Sequence, residues 1–321
     1  MKGVLFSLIM FFISIFLVVF LLTQRASIGF YSTQKAIENR VDGMLSLIKN
    51  VFDDSERAIE IIGRRACVAA INYVITNGIP LSTANETIAE LMLNGSITSV
   101  NQSLMEHATI RDWSDTLEYL IETQGFKAKI EILNLTISPL DSFNLEIDYS
   151  IIVELSDLKT KTNITKSKRK SISLSIEYLE DPLYPLNTYG RVINIIVKSP
   201  HWMNYSSEDT SNLQDDLINS YYHPSLYGAS FLDRLEGKYF VQEKYRRENP
   251  IGLESFINKD KILVAGLPVN YYQTNVDYLY FSNANVTSYR IVGMPESFRL
   301  DNETTINGMT HLQIYNLTVE A

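Results

Sequence analysis

A single cysteine, Cys67, stands in the sequence, so no intrachain disulfide can form and the fold must rest on packing alone. Flanked by Ala66, Val68, Ala69 and Ala70, it reads as a small core residue and not as a redox thiol. Histidine is almost as sparse. His107, His201, His223 and His311 are scattered, and none has the His-x-x-x-His or His-Glu spacing that sets two metal ligands on one helical face. A Gly-x-Ser-x-Gly elbow, a phosphate loop and a dinucleotide fingerprint are all missing. The adjacent acids Glu180 and Asp181 precede Pro182 and read as a turn. The expectation is therefore no catalytic, cofactor-binding or metal site, and no enzyme. Basic residues are also in deficit: 28 Lys and Arg face 37 Asp and Glu, a net charge of −9. That balance excludes nucleic acid as an expected partner and leaves membrane, protein or glycan.

Charge is missing altogether from residues 4–22, where nothing is more polar than Ser7 and Ser14. At about 1.5 Å per residue such a helix rises roughly 28 Å, enough to cross a bilayer core. We read 1–25 as a transmembrane anchor. Lys2 precedes it and Arg25, Lys35 and Arg40 follow, so the flanking charges do not decide orientation. Asn-x-Ser/Thr triplets do bear on it. They begin at Asn85, Asn94, Asn101, Asn134, Asn163, Asn204, Asn285, Asn302 and Asn316, candidate N-glycosylation sites that place the body outside the cell. The expected location is the cell membrane, single-pass, with the C-terminal body extracytoplasmic. A secretory cut after Ala26 would put Gln24 at −3, so the span is expected to stay attached. With at most 1–3 inside, the chain is not expected to signal across the membrane by itself.

Residues 31–76 hold no proline, and Ile37, Val41, Leu45, Ile48 and Phe52 recur at helical spacing. A long amphipathic helix continuing from the span is expected, with a break or recap at Asp53-Asp54-Ser55. Beyond it an apolar stripe of Ala58, Ile61, Ile62, Ala66, Ala69, Ala70, Tyr73 and Val74 needs cover, and Asn77-Gly78 ends the helix. Arg64 and Arg65 interrupt the stripe as a solvated edge. Shorter helices over 83–93 and 109–123 complete a helical part, 26–125.

From 127 the period changes to two. Segments 127–138, 143–155 and 170–178 alternate apolar with polar residues, which gives an antiparallel meander within 126–200. Lys159, Lys161, Lys166, Lys168, Arg169 and Lys170 read as a solvated basic loop between its second and third strands. The stripe of the long helix is the natural cover for the apolar sheet face. Further on, 192–197 reads as a strand and 213–222 as a helix, while 225–239 reads as a turn, a helical turn around Arg234 and a glycine stop. Tyrosine-rich segments at 261–265, 278–281, 289–292 and 311–318 suggest an irregular β-rich C-terminal lobe over 201–321. The fold class is α+β: a transmembrane helix running into an amphipathic helix, packed on an antiparallel β-meander, with that lobe appended.

Three stretches carry a resemblance: 55–70 with its Gly63-Arg64-Arg65-Ala66, Glu180-Asp181-Pro182-Leu183-Tyr184, and 227–237. Together they resemble a group of uncharacterised euryarchaeal single-span surface proteins similar to archaeal pilin-like proteins. Lys2-Gly3 before the apolar run resembles the short basic leader of a type IV prepilin, which implies processing between Gly3 and Val4. Leu8 stands where bacterial pilins carry glutamate, and the head is larger than that of a typical major pilin. The resemblance thus implies a membrane-anchored cell-surface structural protein, a minor or accessory pilin-like subunit with protein partners in a surface or pilus assembly. The alternative is a surface-tethered adhesin or binding module for a glycan or protein, using Tyr271, Tyr272, Tyr278 and Tyr280 as aromatic platforms.

Overall fold

The computed structural model describes residues 2–246, 248–303 and 308–319; the side chains of 2–13 and 26–33 lie outside the description. Helix α1, Lys2–Asn77, runs unbroken for 76 residues. Its continuity over 31–76 follows from the lack of proline there, and it stops at Gly78, whose φ of +63° suits glycine and whose N–H reaches the Val74 carbonyl at 2.9 Å. The expected break at Asp53-Asp54-Ser55 does not occur. Ser55 donates its hydroxyl to the Phe52 carbonyl one turn back (2.7 Å) and pairs with the Tyr149 hydroxyl at 3.0 Å, so it is satisfied inside the helix and caps nothing.

Helix α2, Ala84–Asn94, ends at Gly95 in the left-handed region. A two-stranded ribbon of β1, Ser96–Ile97, and β2, Val100–Asn101, follows, its turn held by the Glu90 carboxylate, which accepts the Thr98 and Ser99 amides. Helix α3, Ile110–Thr123, begins at a capping box in which Thr109 and Asp112 satisfy each other's backbone N–H groups.

The meander is β3, Phe126–Pro139, β4, Asn144–Asp157, and β5, Asn163–Ser175, in the order β3-β4-β5. Register pairs Ile130 with Val153 and Ile132 with Ile151 on one side, and Ile147 with Ile172 and Leu145 with Leu174 on the other. A bulge between Leu133 and Thr136 absorbs the irregular Leu133-Asn134-Leu135, with Asn134 at φ +53°. Strand β5 starts earlier than the basic residues suggest. Lys166, Lys168, Arg169 and Lys170 belong to this edge strand, and the loop shrinks to 158–162. Charge on an edge strand blocks pairing with other chains. Lys170 turns inward, where its ammonium donates to the Phe52 carbonyl and to Glu56 at 2.6 Å.

The chain is α+β, with the C-terminal part of α1 packed against this antiparallel meander. One core joins Met44, Ile48, Ile59, Ile62, Ala66, Cys67 and Ala70 of α1 to Ile147, Ile151 and Val153 of β4 and Leu174 of β5. Gly63 marks the tightest approach, since a Cβ there would lie 2.9 Å from Ile147 Cδ1. Cys67 is fully buried, and burial pushes its thiol up to about 12. The expected stripe is buried at Ala58, Ile62, Ala66, Ala69, Ala70 and Val74 and half-buried at Tyr73; it departs at Ile61, 68% exposed, where Ile59 takes the buried place. Arg64 is not a solvated edge either. Its guanidinium donates to the Ser175 and Glu177 carbonyls at 3.0 and 2.9 Å, capping the end of β5, while Arg65 reaches the Leu104 carbonyl.

The remainder consists of short elements: α4, Leu183–Thr188; α5, Ser211–Asn219; β6, Tyr222–Ser225; α6, Phe231–Leu235; β7, Gly252–Ser255; α7, Lys259–Val264; α8, Asp277–Phe281; β8, Ser288–Arg290; β9, Arg299–Asp301; and α9, His311–Ile314. β6 pairs with β7 and β8 with β9. The expectation of a β-rich lobe is corrected here. Segments 261–265, 278–281 and 311–318 are largely helical turns and not strands, and 192–197 contributes a single isolated bridge, Ile195 to Glu180. In α8 Asp277, Tyr278, Leu279 and Tyr280 are all buried, so the period-two burial of a surface strand is absent. Tyr222, Phe231, Leu232, Leu235 and Leu253 join the main core, and a second core gathers Leu213, Phe256, Tyr278, Phe298, Leu300 and Tyr315.

Candidate functional site

Helix α1 divides at Arg40. Every described side chain before it, 14–25 and 34–39, is exposed, and 15–22 are apolar without exception. At about 1.5 Å per residue the part before Arg40 projects roughly 57 Å beyond the head. Arg40 is the point of entry. Its guanidinium makes a bidentate pair with Asp157 (2.5 and 2.6 Å) and lies 4.7 Å over the Phe126 ring. The hydrogen bonds from Arg40 hold the Asp157 carboxyl well below the usual carboxylate range. Among the described residues no helix is long and apolar enough to cross a membrane. Of the expected span over 4–22, the side chains of 4–13 lie outside the described ones, as do those of the expected processing residues Gly3 and Val4.

The asparagines of the Asn-x-Ser/Thr triplets distribute over the head. Asn94, Asn101, Asn134, Asn163, Asn204, Asn285, Asn302 and Asn316 are exposed, as attachment of a glycan requires. Asn85 is half-buried and its side-chain oxygen accepts the Tyr245 hydroxyl at 3.1 Å, so it is the triplet least open to modification. Thr304 of the Asn302 triplet lies outside the described residues.

Two histidines that lie far apart in sequence come together in the C-terminal lobe. His311, just inside α9, places Nδ1 2.6 Å from Asp301 at the end of β9 and Nε2 3.4 Å from Glu254 of β7. Tyr315 donates its hydroxyl to Glu254 (2.8 Å) and lies 3.0 Å from His223 Nδ1. His223 Nε2 is 3.0 Å from Asp216, which also accepts the hydroxyls of Ser199 and Tyr205 at 2.7 and 2.6 Å. Burial pushes the His311 imidazolium down, but Glu254 and Asp301 outweigh it and hold the group up at about 10. Burial likewise opposes ionisation of Asp301, yet His311 keeps that carboxyl below its ordinary value.

A second buried cluster surrounds Arg234 of α6. Its Nη1 bridges Asp181 and Asp277, at 2.9 Å from the latter, and its Nη2 donates to the Leu253 carbonyl. Tyr222 donates to Asp181 (2.7 Å) and Ser255 to Asp277 (2.9 Å). Asp181, read from sequence as half of a turn, is thus a buried counter-ion. Glu180 beside it is only half-buried and takes no part.

Chemically both clusters are closed. Asp181, Asp216, His223, Arg234, Glu254, Asp277, Asp301 and His311 are buried, and each carboxylate has a basic partner within the protein. Their hydrogen bonds run to one another inside the lobe, and a network so satisfied stiffens it. Among the described residues no group of His, Cys, Asp and Glu could hold a metal ion. The other two histidines stand apart: His107 is exposed, and His201 pairs with Asp215 at 2.8 Å. Of the expected tyrosine platforms only Tyr271 and Tyr272 are exposed, while Tyr278 and Tyr280 are buried. Comparison with known proteins finds no matching family model, no similar curated protein and no similar solved structure.

Proposed function

We propose that this chain is a membrane-anchored cell-surface structural protein, a minor or accessory pilin-like subunit. One observation carries the reading: a single uninterrupted helix carries the exposed apolar run 15–22 and, from Met44 on, packs into the core of the head. Apolar side chains such as Phe16, 75% exposed, and Leu22 are unstable in water and call for lipid or for the arms of neighbouring subunits. The run over 4–22 then crosses the membrane before assembly, and processing between Gly3 and Val4 frees the arm for packing against others. Rigid continuity between arm and head lets the helix place the head at a fixed distance from the surface. The exposed Asn-x-Ser/Thr triplets support an extracytoplasmic head.

Vesicle flotation of the full chain against a chain beginning at Gln34 tests this reading. The full chain is expected to rise with the lipid and the shortened chain to stay behind. Flotation of both, or of neither, would overturn the assignment of the arm. Mass spectrometry of the native N-terminus separates the pilin-like form from a simple anchor: a chain starting at Val4 is expected, and an intact Met1 or Lys2 terminus excludes processing.

A further inference from the structure

A cleft of about 440 Å³ opens between the C-terminal ends of α4 and α8 and the loop that follows α7. Ile262 and Tyr280 of a small separate core line it, with Leu267 packed against that core. Its walls carry no charged side chain; the polar groups are amides and hydroxyls. A phosphate, a carboxylate or a metal ion calls for charge in its site, so this lining suits a polar ligand without charge.

Two nearly buried side chains have hydrogen-bonding capacity left over. Gln273, 9% exposed, commits its amide hydrogens to the Leu279 and Tyr280 carbonyls at 3.2 and 3.1 Å. Its side-chain oxygen accepts no hydrogen bond among the described residues, and Gln273 lines the cleft. Tyr280, equally buried, accepts the Asn270 amide at 3.4 Å and donates its own proton to nothing among the described residues. A spare acceptor and a spare donor thus belong to two residues that line one cleft.

The rim adds a third element. Tyr189 and Asn283, both lining the cleft, follow helix ends in left-handed backbone at φ +53° and +52°, and the Tyr189 ring stands 84% exposed. A bulky aromatic is disfavoured in that conformation, and such residues concentrate where a side chain must be presented.

We propose that this cleft binds carbohydrate: a neutral pyranose whose face stacks on the Tyr189 ring while its hydroxyls meet Gln273 Oε1, the Tyr280 hydroxyl and the Asn283 amide. Sugars combine an apolar ring face with ring hydroxyls that both donate and accept, which matches an aromatic rim above neutral polar groups. The inference goes beyond the role of the arm and holds whether the chain is an anchor or a filament subunit. The sugar has two sources, a foreign surface or the N-glycans of a neighbouring copy.

The test uses the full chain in detergent, made without N-glycosylation and presented to neutral hexose and N-acetylhexosamine oligosaccharides, to sialylated and sulfated ones, and to glycans released from the native protein. Binding to neutral glycans is expected. Capture of the released glycans assigns the ligand to a neighbouring copy, and capture of the others alone assigns it to a foreign surface. Tyr189→Gly removes the ring and relaxes the backbone, so the head folds, and affinity is expected to fall at least tenfold. Tyr280→Phe keeps the ring, deletes the donor and should fall as far. Tyr119→Ala, on the remote helix α3, should change nothing. Failure to bind any neutral glycan, preference for charged ones, or retained affinity in both cleft variants overturns the proposal.

Discussion

Gly63 offers the sharpest probe of how the long helix and the sheet depend on each other. A Cβ built there lies 2.9 Å from Ile147 Cδ1, 3.3 Å from Leu174 Cδ2 and 3.5 Å from Met92 Cε, so β4, β5 and α2 all meet at one point on α1. The closest atom is the tip of a flexible side chain. Shifting it costs about 0.5–1.5 kcal/mol, which the roughly 1 kcal/mol gained by replacing a helical glycine with alanine offsets. Gly63→Ala is therefore expected to be nearly neutral. Gly63→Val drives two further carbons into the same space and should cost about 1–3 kcal/mol by overpacking. Gly63→Asp buries a carboxylate with no partner, a penalty of several kcal/mol set against a total domain stability of about 5–15 kcal/mol. The assay is urea and thermal unfolding of a chain beginning at Gln34, which keeps every described buried residue, the first being Met44. An unchanged midpoint for Gly63→Asp would show that the helix stands off the head, and the packing described here would be wrong.

Two further outcomes follow from the buried clusters. Arg234→Met leaves Asp181 and Asp277 facing each other without a counter-ion, and unfolding should show a loss of about 3–5 kcal/mol; a loss under about 1 kcal/mol would mean that the pair is not closed to water. His311 is raised from 6.5 to about 10 on folding, so its contribution is complete below pH 6.5 and disappears as pH rises through 10. The stability difference between the native chain and His311→Gln should shrink across that window. Lys259, which burial lowers to about 7, acts in the opposite direction in both proteins and cancels in the difference. A difference that does not vary with pH would refute the placement of His311 between Asp301 and Glu254.

What the sequence discloses is what its neighbours decide. Alternation through Leu145, Ile147, Tyr149, Ile151 and Val153 is a local pattern imposed by one buried face, and the meander follows from it. The long helix is legible for the same reason, although Ser55 misleads, because its partner Tyr149 lies across the sheet. The C-terminal lobe fails this test. Tyr278-Leu279-Tyr280-Phe281 favours a strand by residue type, but burial of Asp277, Tyr278, Leu279 and Tyr280 in succession accompanies a helical turn instead. His223 and His311 meet only through the packing of β6, β7 and α9, and Arg234 finds Asp181 and Asp277 from three separate stretches of chain. A local signal did exist for α6: Ser230 and Asp233 form a capping box around the turn that carries Arg234.

The central claim, an anchored chain with its head outside the cell, is tested most directly by lysine labelling of intact native cells with a membrane-impermeant reagent, read by mass spectrometry. Lys129 on β3 and Lys168 on β5 are exposed on the head and should be modified before the cells are broken. Labelling of these lysines only after lysis would place the head inside and contradict the account.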